Sequence, residues 1–219
     1  MTASAKRLQV CLILVAWCVA LLAARVWRSG DLTYAFLIWN LGLAVVPALA
    51  ALLFGALSQA RTRLPSFAAF VVWLCFLPNA PYIVTDFVHL RSRPPLPVWF
   101  DFVLLASYAA TGLLLGYASV ADVQVALARR YGPRLSAWVA SGSLFLCGFG
   151  VYLGRVLRWN SWDIVTAPLP LARVIAHRLV DPLAHPMMLA VSVSYGMALV
   201  LGYTVLRKVA SPLSVDVQP

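Results

Sequence analysis

Six apolar segments, each long enough to cross a bilayer, constrain this chain more than any other feature. A transmembrane helix needs about 20 mainly apolar residues. Backbone groups in lipid must find their hydrogen bonds within the spanning structure, and the apolar runs do not alternate with period two, so helices are predicted and a barrel is not. The sequence therefore predicts an all-α, polytopic membrane protein, a single bundle over residues 1–219. The expected spans are about 8–27, 34–57, 66–90, 98–120, 137–157 and 186–206.

Composition agrees with a membrane bundle and bears on its partners. The chain is 63% hydrophobic and 11% charged, whereas soluble domains are about 45–50% apolar and about 25% charged. Its net charge is +10, and cationic residues beside membrane spans attract anionic lipid headgroups. Binding of nucleic acid would need a basic patch on a recognisable soluble module, which the sequence lacks. The lipid bilayer and its anionic headgroups are therefore the expected partners, and protein partners stay open.

Orientation depends on the Lys and Arg residues that flank the spans. These residues divide almost equally between the two sides. Arg173 and Arg178 fall in the longest loop, and Arg155 falls inside an apolar segment. Such positions can carry charge for reasons other than topology, so the remaining charges favour cytoplasmic N- and C-termini.

Two features interrupt the simple pattern of spans. Pro78 and Pro81 lie inside the third span, and Pro81 lacks the N–H that a continuous helix needs, so a kink is predicted there. Broken backbone at membrane depth is tolerated only where it is buried in protein or lines a wet cavity. Before the last span, residues 170–181 place Leu171, Val174 and Ile175 on one helical face. This pattern predicts a short interfacial helix, with a lid over a site as the alternative.

Polar residues of the spans lie toward the same membrane face once the spans alternate in direction. Ionisable groups in or beside hydrocarbon are costly, and a functional role is the default interpretation. The sequence therefore predicts one shared polar site, at the extracytoplasmic face if the termini are cytoplasmic. The candidate residues are Asn40, Asn79, Asp86, His89, Asp101, Arg155, Arg158, Asn160 and Asp163.

The carboxylates and the imidazole are the candidate catalytic groups. Asp86 and His89 are three residues apart and share a face of a helix. Such a pair can bind a divalent metal or act as an acid–base couple, and it can equally be a hydrogen bond at a helix end. Asp101 and Asp163 complete this set, although a carboxylate in a first helical turn, as at Asp101, is also favoured by the helix dipole alone.

Arginines and amides form the candidate ligand-binding set. Arg155 and Arg158 are also three residues apart. Two guanidinium groups can bind phosphate or carboxylate, pair with the aspartates in a structural network, or extend to lipid headgroups. Asn79 can satisfy carbonyls freed by the proline break or orient a ligand, and Asn40 can simply join two helices. Asn160 completes the set.

Glycines mark close helix contacts in two spans. Gly112 and Gly116 in the fourth span, and Gly150 and Gly154 in the fifth, repeat at intervals of four residues. Small residues at this spacing let helix backbones approach closely. We therefore expect tight packing along both faces.

No motif selects one activity. The chain has no phosphate-binding loop, no serine-hydrolase elbow and no zincin or zinc-finger spacing. Three hypotheses stay open. The first is a membrane enzyme that uses a divalent metal or acid–base chemistry on a lipid-linked or amphiphilic substrate. The second is a carrier or binding protein for a small anionic ligand or lipid headgroup, and the third is a structural or partner-binding subunit.

Several of these segments together resemble a known family. The pieces are Asn40–Leu41 with Pro47, the run from Leu77 to Leu90, Pro97–Asp101, Thr111–Gly116, and Gly150–Asp163. In them the chain is similar to the bacterial membrane proteins grouped as domain of unknown function 1361. The resemblance implies a multi-pass protein of a bacterial inner membrane and carries no activity or catalytic residue. Residues from Pro168 to Pro219 are expected to be particular to this protein.

Overall fold

A computed structural model describes residues 3–210, with side chains for residues 9–209. This part of the chain is helical apart from its loops and one isolated β-bridge between Arg93 and Leu96. The two chain ends, which were expected on the cytoplasmic side, reach beyond the described residues. The α-helices are α1 (Ala3–Ser29), α2 (Phe36–Gln59), α3 (Arg63–Phe76), α4 (Asn79–Tyr82), α5 (Val98–Tyr131), α6 (Pro133–Arg155), α7 (Asp163–Thr166), α8 (Pro168–Val180) and α9 (Pro186–Ala210).

Six helical stretches in the described residues are long and apolar enough to cross a membrane, which confirms the predicted bundle. They are Gln9–Ser29, Phe36–Gln59, Arg63–His89, Val98–Tyr131, Pro133–Arg155 and Pro186–Val209.

The largest difference from the expected spans is at α5, which continues to Tyr131 instead of ending near residue 120. The extension carries the charged residues Asp122, Arg129 and Arg130. A span predicted from apolar residues alone therefore ends before the helix does. Its other face buries Val123 and Leu127 in the core.

The third span breaks where its prolines predict a kink. α3 ends at Phe76, α4 provides a single turn, and a 3₁₀ helix runs from Ile83 to His89. A 3₁₀ helix of this length is uncommon, and such stretches often mark functional or strained regions. Asn79 Nδ2 donates to the Phe76 carbonyl at 2.9 Å, which satisfies one group that the break leaves without a helical partner.

Both glycine pairs face the broken segment. A Cβ atom on Gly112 would lie 2.7 Å from the Ala80 carbonyl oxygen, and one on Gly150 would lie 2.5 Å from Pro78 Cγ. Gly116 meets Ala80 in the same way. The small residues of α5 and α6 therefore clamp the break between the two helices, as the predicted close packing requires.

A short helix precedes the last span, as predicted. α8 runs from Pro168 to Val180 and buries Leu171, while Leu179 and Val180 are exposed. Arg178 Nε donates to the Tyr152 hydroxyl at 2.9 Å, which ties α8 to α6.

Candidate functional site

The polar residues of the spans meet at one end of the bundle, here called the polar end. It contains the C-terminal ends of α1 and α6, the N-terminal ends of α2 and α5, and the 3₁₀ helix at Ile83–His89. Hydrogen bonds between distant residues show this directly, since Asn40 contacts Asp86 and Asn79 contacts Ser161. Three groups form there: a buried ion pair, a triad of hydrogen-bonded or ion-paired side chains, and a cleft that shares one residue with the triad.

The buried ion pair joins α1 to α5. Arg25 and Asp101 are 1% and 0% exposed. Arg25 Nε donates to Asp101 Oδ1 at 2.8 Å, and the guanidinium lies 4.5 Å from the centre of the Tyr34 ring. A second nitrogen donates to the Ser29 hydroxyl at 3.3 Å. Asp101, a predicted catalytic residue, is thus paired with Arg25, which was not among the candidate site residues of the sequence analysis.

A capped loop adjoins this pair, between α1 and α2. Asp31 accepts hydrogen bonds from the Thr33 backbone N–H at 2.8 Å and from the Thr33 hydroxyl at 2.6 Å. These bonds, with a smaller contribution from the charge of Arg25, hold the pKa of the Asp31 carboxyl below its ordinary value. Asp31 therefore stays ionised well into the acidic range and keeps a second carboxylate beside Arg25, at 3.6 Å.

The triad comprises Asn40, Asp86 and Arg155. Asp86 is 1% exposed, and Asn40 Nδ2 donates to its Oδ2 at 2.8 Å. Arg155 Nη1 lies 4.0 Å from Asp86 Oδ1, a long ion pair. Among the described side chains, Arg155 has no hydrogen-bond partner, so most of its five N–H donors remain available.

The cleft has a volume of about 130 Å³ and lies beside the triad, with Asn40 common to both. Asn79 bridges its wall by donating to Ser161 Oγ at 2.8 Å. The Trp39 and Trp162 rings meet edge to face at 6.0 Å. The polar lining is Asn40, Asn79, Asn160 and Ser161, and the aromatic lining is Trp39, Tyr82, Trp159 and Trp162.

Three predicted site residues lie apart from this arrangement. His89 is exposed and packs its ring against Phe36 at 5.1 Å between centroids. Asp163 accepts from the Asn160 backbone N–H at 2.7 Å and caps the loop locally. Arg158 is exposed, has a φ of +61°, and makes no hydrogen bond to any described side chain.

The two residues of the predicted metal pair differ in exposure. Asp86 is turned into the bundle whereas His89, one 3₁₀ turn later, is exposed. Across the described residues, no three His, Cys, Asp or Glu side chains are grouped as a metal site requires. The metal hypothesis therefore stays a prediction of the sequence, with no support from this geometry.

Sequence reasoning missed Arg25, Ser161 and the aromatic walls of the cleft. Arg25 was detectable, because it lies near the end of an apolar span, at a level similar to Asp101 on another span. Ser161 has no such signal, since its role depends on the path of the loop after α6. Trp159 and Trp162 fit equally well as membrane-interface residues.

These helices and this polar end define a polytopic integral membrane protein. The chain belongs to the family described as Protein of unknown function (DUF1361), whose model matches residues 39–201. The match continues past Asp163 into α9, so the expectation that everything from Pro168 onward is particular to this protein is wrong as far as residue 201. No curated protein and no solved structure matches the sequence.

Proposed function

We propose that this protein binds a lipid-linked or otherwise amphiphilic ligand, with the phosphate-containing headgroup of that ligand in the cleft at the polar end. The observation that carries the proposal is the lining of the cleft: three carboxamides and a hydroxyl beside indole rings. Carboxamides both donate and accept hydrogen bonds, and indoles combine an apolar surface with one N–H donor. Pockets that orient ligands combine apolar walls with a few converging polar groups in this way.

Arg155 supplies the positive charge for an anionic group. Its guanidinium has only the 4.0 Å ion pair with Asp86 among the described residues. Guanidinium groups bind phosphate through paired, charge-assisted hydrogen bonds. Arg155 is linked to the cleft through Asp86 and Asn40, and its chain neighbour Gly154 lines the cleft. The exposed Arg158 adds a second cation nearby in the chain.

Binding fits this geometry better than catalysis. Asp101 is paired with Arg25, Asp163 caps a loop, and His89 packs on an aromatic ring. No two of the four candidate catalytic side chains, all of them within the described residues, form a hydrogen bond with each other. A nucleophile and the base that activates it typically lie within hydrogen-bond reach of each other.

The binding proposal predicts that substitutions at the cleft lower the affinity for a phosphorylated amphiphile. Farnesyl phosphate should raise the unfolding temperature of the detergent-purified protein more than farnesol does. Asn160→Ala should weaken its affinity about three- to tenfold through one lost hydrogen bond, since no described residue occupies the side-chain amide of this cleft residue. Arg155→Gln should weaken it about tenfold or more. Thermal unfolding at increasing ligand concentration measures both.

The matched controls lie away from the cleft. Ser141→Ala removes an exposed hydroxyl of α6, and Arg173→Gln removes an exposed charge of α8. Both should bind farnesyl phosphate like the wild type. Equal affinities in all four variants, or no difference between farnesyl phosphate and farnesol in the wild type, would refute the proposed headgroup.

We further propose that the polar end is extracytoplasmic and both termini are cytoplasmic. Arg25 and Arg155 lie beside aspartates, so they count little as free flanking charges. The other end carries Arg61, Arg63, Arg129 and Arg134, none with an ion pair to a described side chain. Positive loops favour the cytoplasmic side.

Cysteine labelling tests this orientation. In a background without the native cysteines, Val165→Cys lies in the short helix α7 at the polar end and Ala60→Cys in the turn after α2 at the other end. A membrane-impermeant maleimide should label Val165→Cys in intact cells and Ala60→Cys only after permeabilisation. The reverse pattern would invert the topology.

A further inference from the structure

Two adjoining cavities lie at the opposite end of the bundle, here called the basic end. It is formed by the turn between α2 and α3 and by the ends of α5 and α6. One cavity has a volume of about 610 Å³, and no acidic side chain of the described residues lines it. Its charged lining is Arg61, Arg63, Arg129 and Arg130. Four guanidinium groups around one cavity create a strong attraction for an anion.

An apolar groove adjoins this basic cavity. It has a volume of about 490 Å³ and shares Arg63 and Arg130, as well as Ser58 and Ala126, with the basic cavity. The two cavities therefore form one continuous surface that is cationic at one side and apolar at the other. The apolar part is lined by Phe54, Phe67, Phe70, Leu127, Tyr131 and Val139.

The arginines of this cavity have almost no partners within the protein. Arg61, Arg63 and Arg129 form no ion pair or hydrogen bond through their side chains within residues 9–209, and Arg130 lies over the Tyr131 ring at 5.4 Å. Arg61 also has a φ of +58°, where the turn after α2 would accept glycine with less strain. A costly conformation thus places a cation at the rim of the cavity.

We propose that the basic end binds an anionic phospholipid, with its phosphate among the four arginines and one acyl chain in the adjoining groove. The charge of the cavity matches a phosphodiester, and guanidinium groups bind phosphate oxygens in pairs. The apolar groove continues from the same arginines and can accommodate a hydrocarbon chain. A free phosphate ion would bind the arginines and leave the apolar groove without an occupant.

Lipid selectivity tests the proposal. Native mass spectrometry of the full detergent-purified chain should show tighter binding of dioleoyl phosphatidylglycerol than of dioleoyl phosphatidylcholine. Arg61→Gln/Arg129→Gln should reduce the affinity for phosphatidylglycerol about tenfold or more, since each arginine contributes to the attraction for anionic headgroups. Arg61→Lys/Arg129→Lys keeps both charges and should retain most of the preference.

The control double variant, Arg28→Gln/Arg173→Gln, removes the same charge from exposed positions at the polar end. It should change the lipid preference much less. Equal binding of the two lipids by the wild type, or an unchanged preference in Arg61→Gln/Arg129→Gln, would overturn the proposal.

A last comparison separates a lipid from a free anion. Dihexanoyl phosphatidylglycerol should bind more weakly than the dioleoyl lipid, and Phe67→Ala should reduce that dependence on chain length. Inorganic phosphate should not displace the dioleoyl lipid at equal concentration. Displacement by phosphate together with no effect of chain length would show an anion site and overturn the assignment to a phospholipid.

Discussion

Replacing Arg25 with methionine is expected to destabilise the protein by about 3–5 kcal/mol, because it leaves the Asp101 carboxylate buried without its partner. Asp101 is 0% exposed, and its 2.8 Å bond to Arg25 joins α1 to α5. Thermal unfolding of the purified protein in detergent should show a large fall in unfolding temperature. The exposed Arg28, one turn later on α1, gives the matched control, and Arg28→Met should cause little change.

The double variant Arg25→Met/Asp101→Leu distinguishes the net contribution of the ion pair to stability from the destabilisation caused by one unpaired buried charge. Replacing both partners with apolar residues of similar size is often neutral or stabilising. The double variant should therefore be more stable than Arg25→Met alone. If Arg25→Met and Arg28→Met unfold at the same temperature, Arg25 and Asp101 do not form the buried pair.

Asp101 also shows where sequence reasoning reached its limit. The alternation of span directions correctly placed Asp101 at the same end as Asp86, Asn40 and Arg155. It could not predict which of these side chains pair with each other. The direction of a span determines how deep a residue lies in the membrane, but not which way its side chain points around the helix axis. α5 turns Asp101 toward α1, so it meets Arg25 and not the arginines of α6.

Asn79 gives a different lesson, because one of its two hydrogen bonds follows from the sequence and the other does not. The prolines predicted the break, and a break predicts free carbonyls, so the bond from Asn79 to Phe76 follows from local chemistry. Its second bond, to Ser161, depends on the loop after α6. That loop passes through Arg158 at a φ of +61°, which sequence preference for an arginine does not predict. The sequence therefore predicted where the asparagines of the cleft lie, but not Ser161 or the aromatic side chains that complete the lining.

The two ends of the bundle differ in how they treat charge. At the polar end, Arg25 and Arg155 lie beside buried carboxylates that offset part of their charge, so hydrogen-bond geometry contributes more to selecting a ligand there. At the basic end, the cavity has arginines and no carboxylate in its described lining. An anion there is selected mainly by charge, and salt should weaken its binding more than it weakens binding in the cleft.

Gly148→Leu is expected to separate α6 from α9. Even the first carbon of a side chain at Gly148 would overlap the Ser192 carbonyl oxygen and would lie 2.7 Å from the Gly196 backbone nitrogen. Backbone atoms cannot rotate away, so α9 must move. Overpacking of this kind typically costs about 1–3 kcal/mol, and leucine at a backbone contact belongs at or above the upper end.

Two measurements detect the separation of α6 from α9. Gly142→Ala is the control on the same helix. The unfolding temperature should fall for Gly148→Leu. Cys147, which is 1% exposed and belongs to the same core cluster as Leu199 and Tyr203 of α9, should react faster with a thiol reagent. A methyl group added at Gly142 would have no neighbouring atom within 4 Å, so alanine there should be neutral or stabilise by about 0.4–1 kcal/mol. Unchanged reactivity of Cys147 in Gly148→Leu would mean that α9 does not pack on α6 through this glycine.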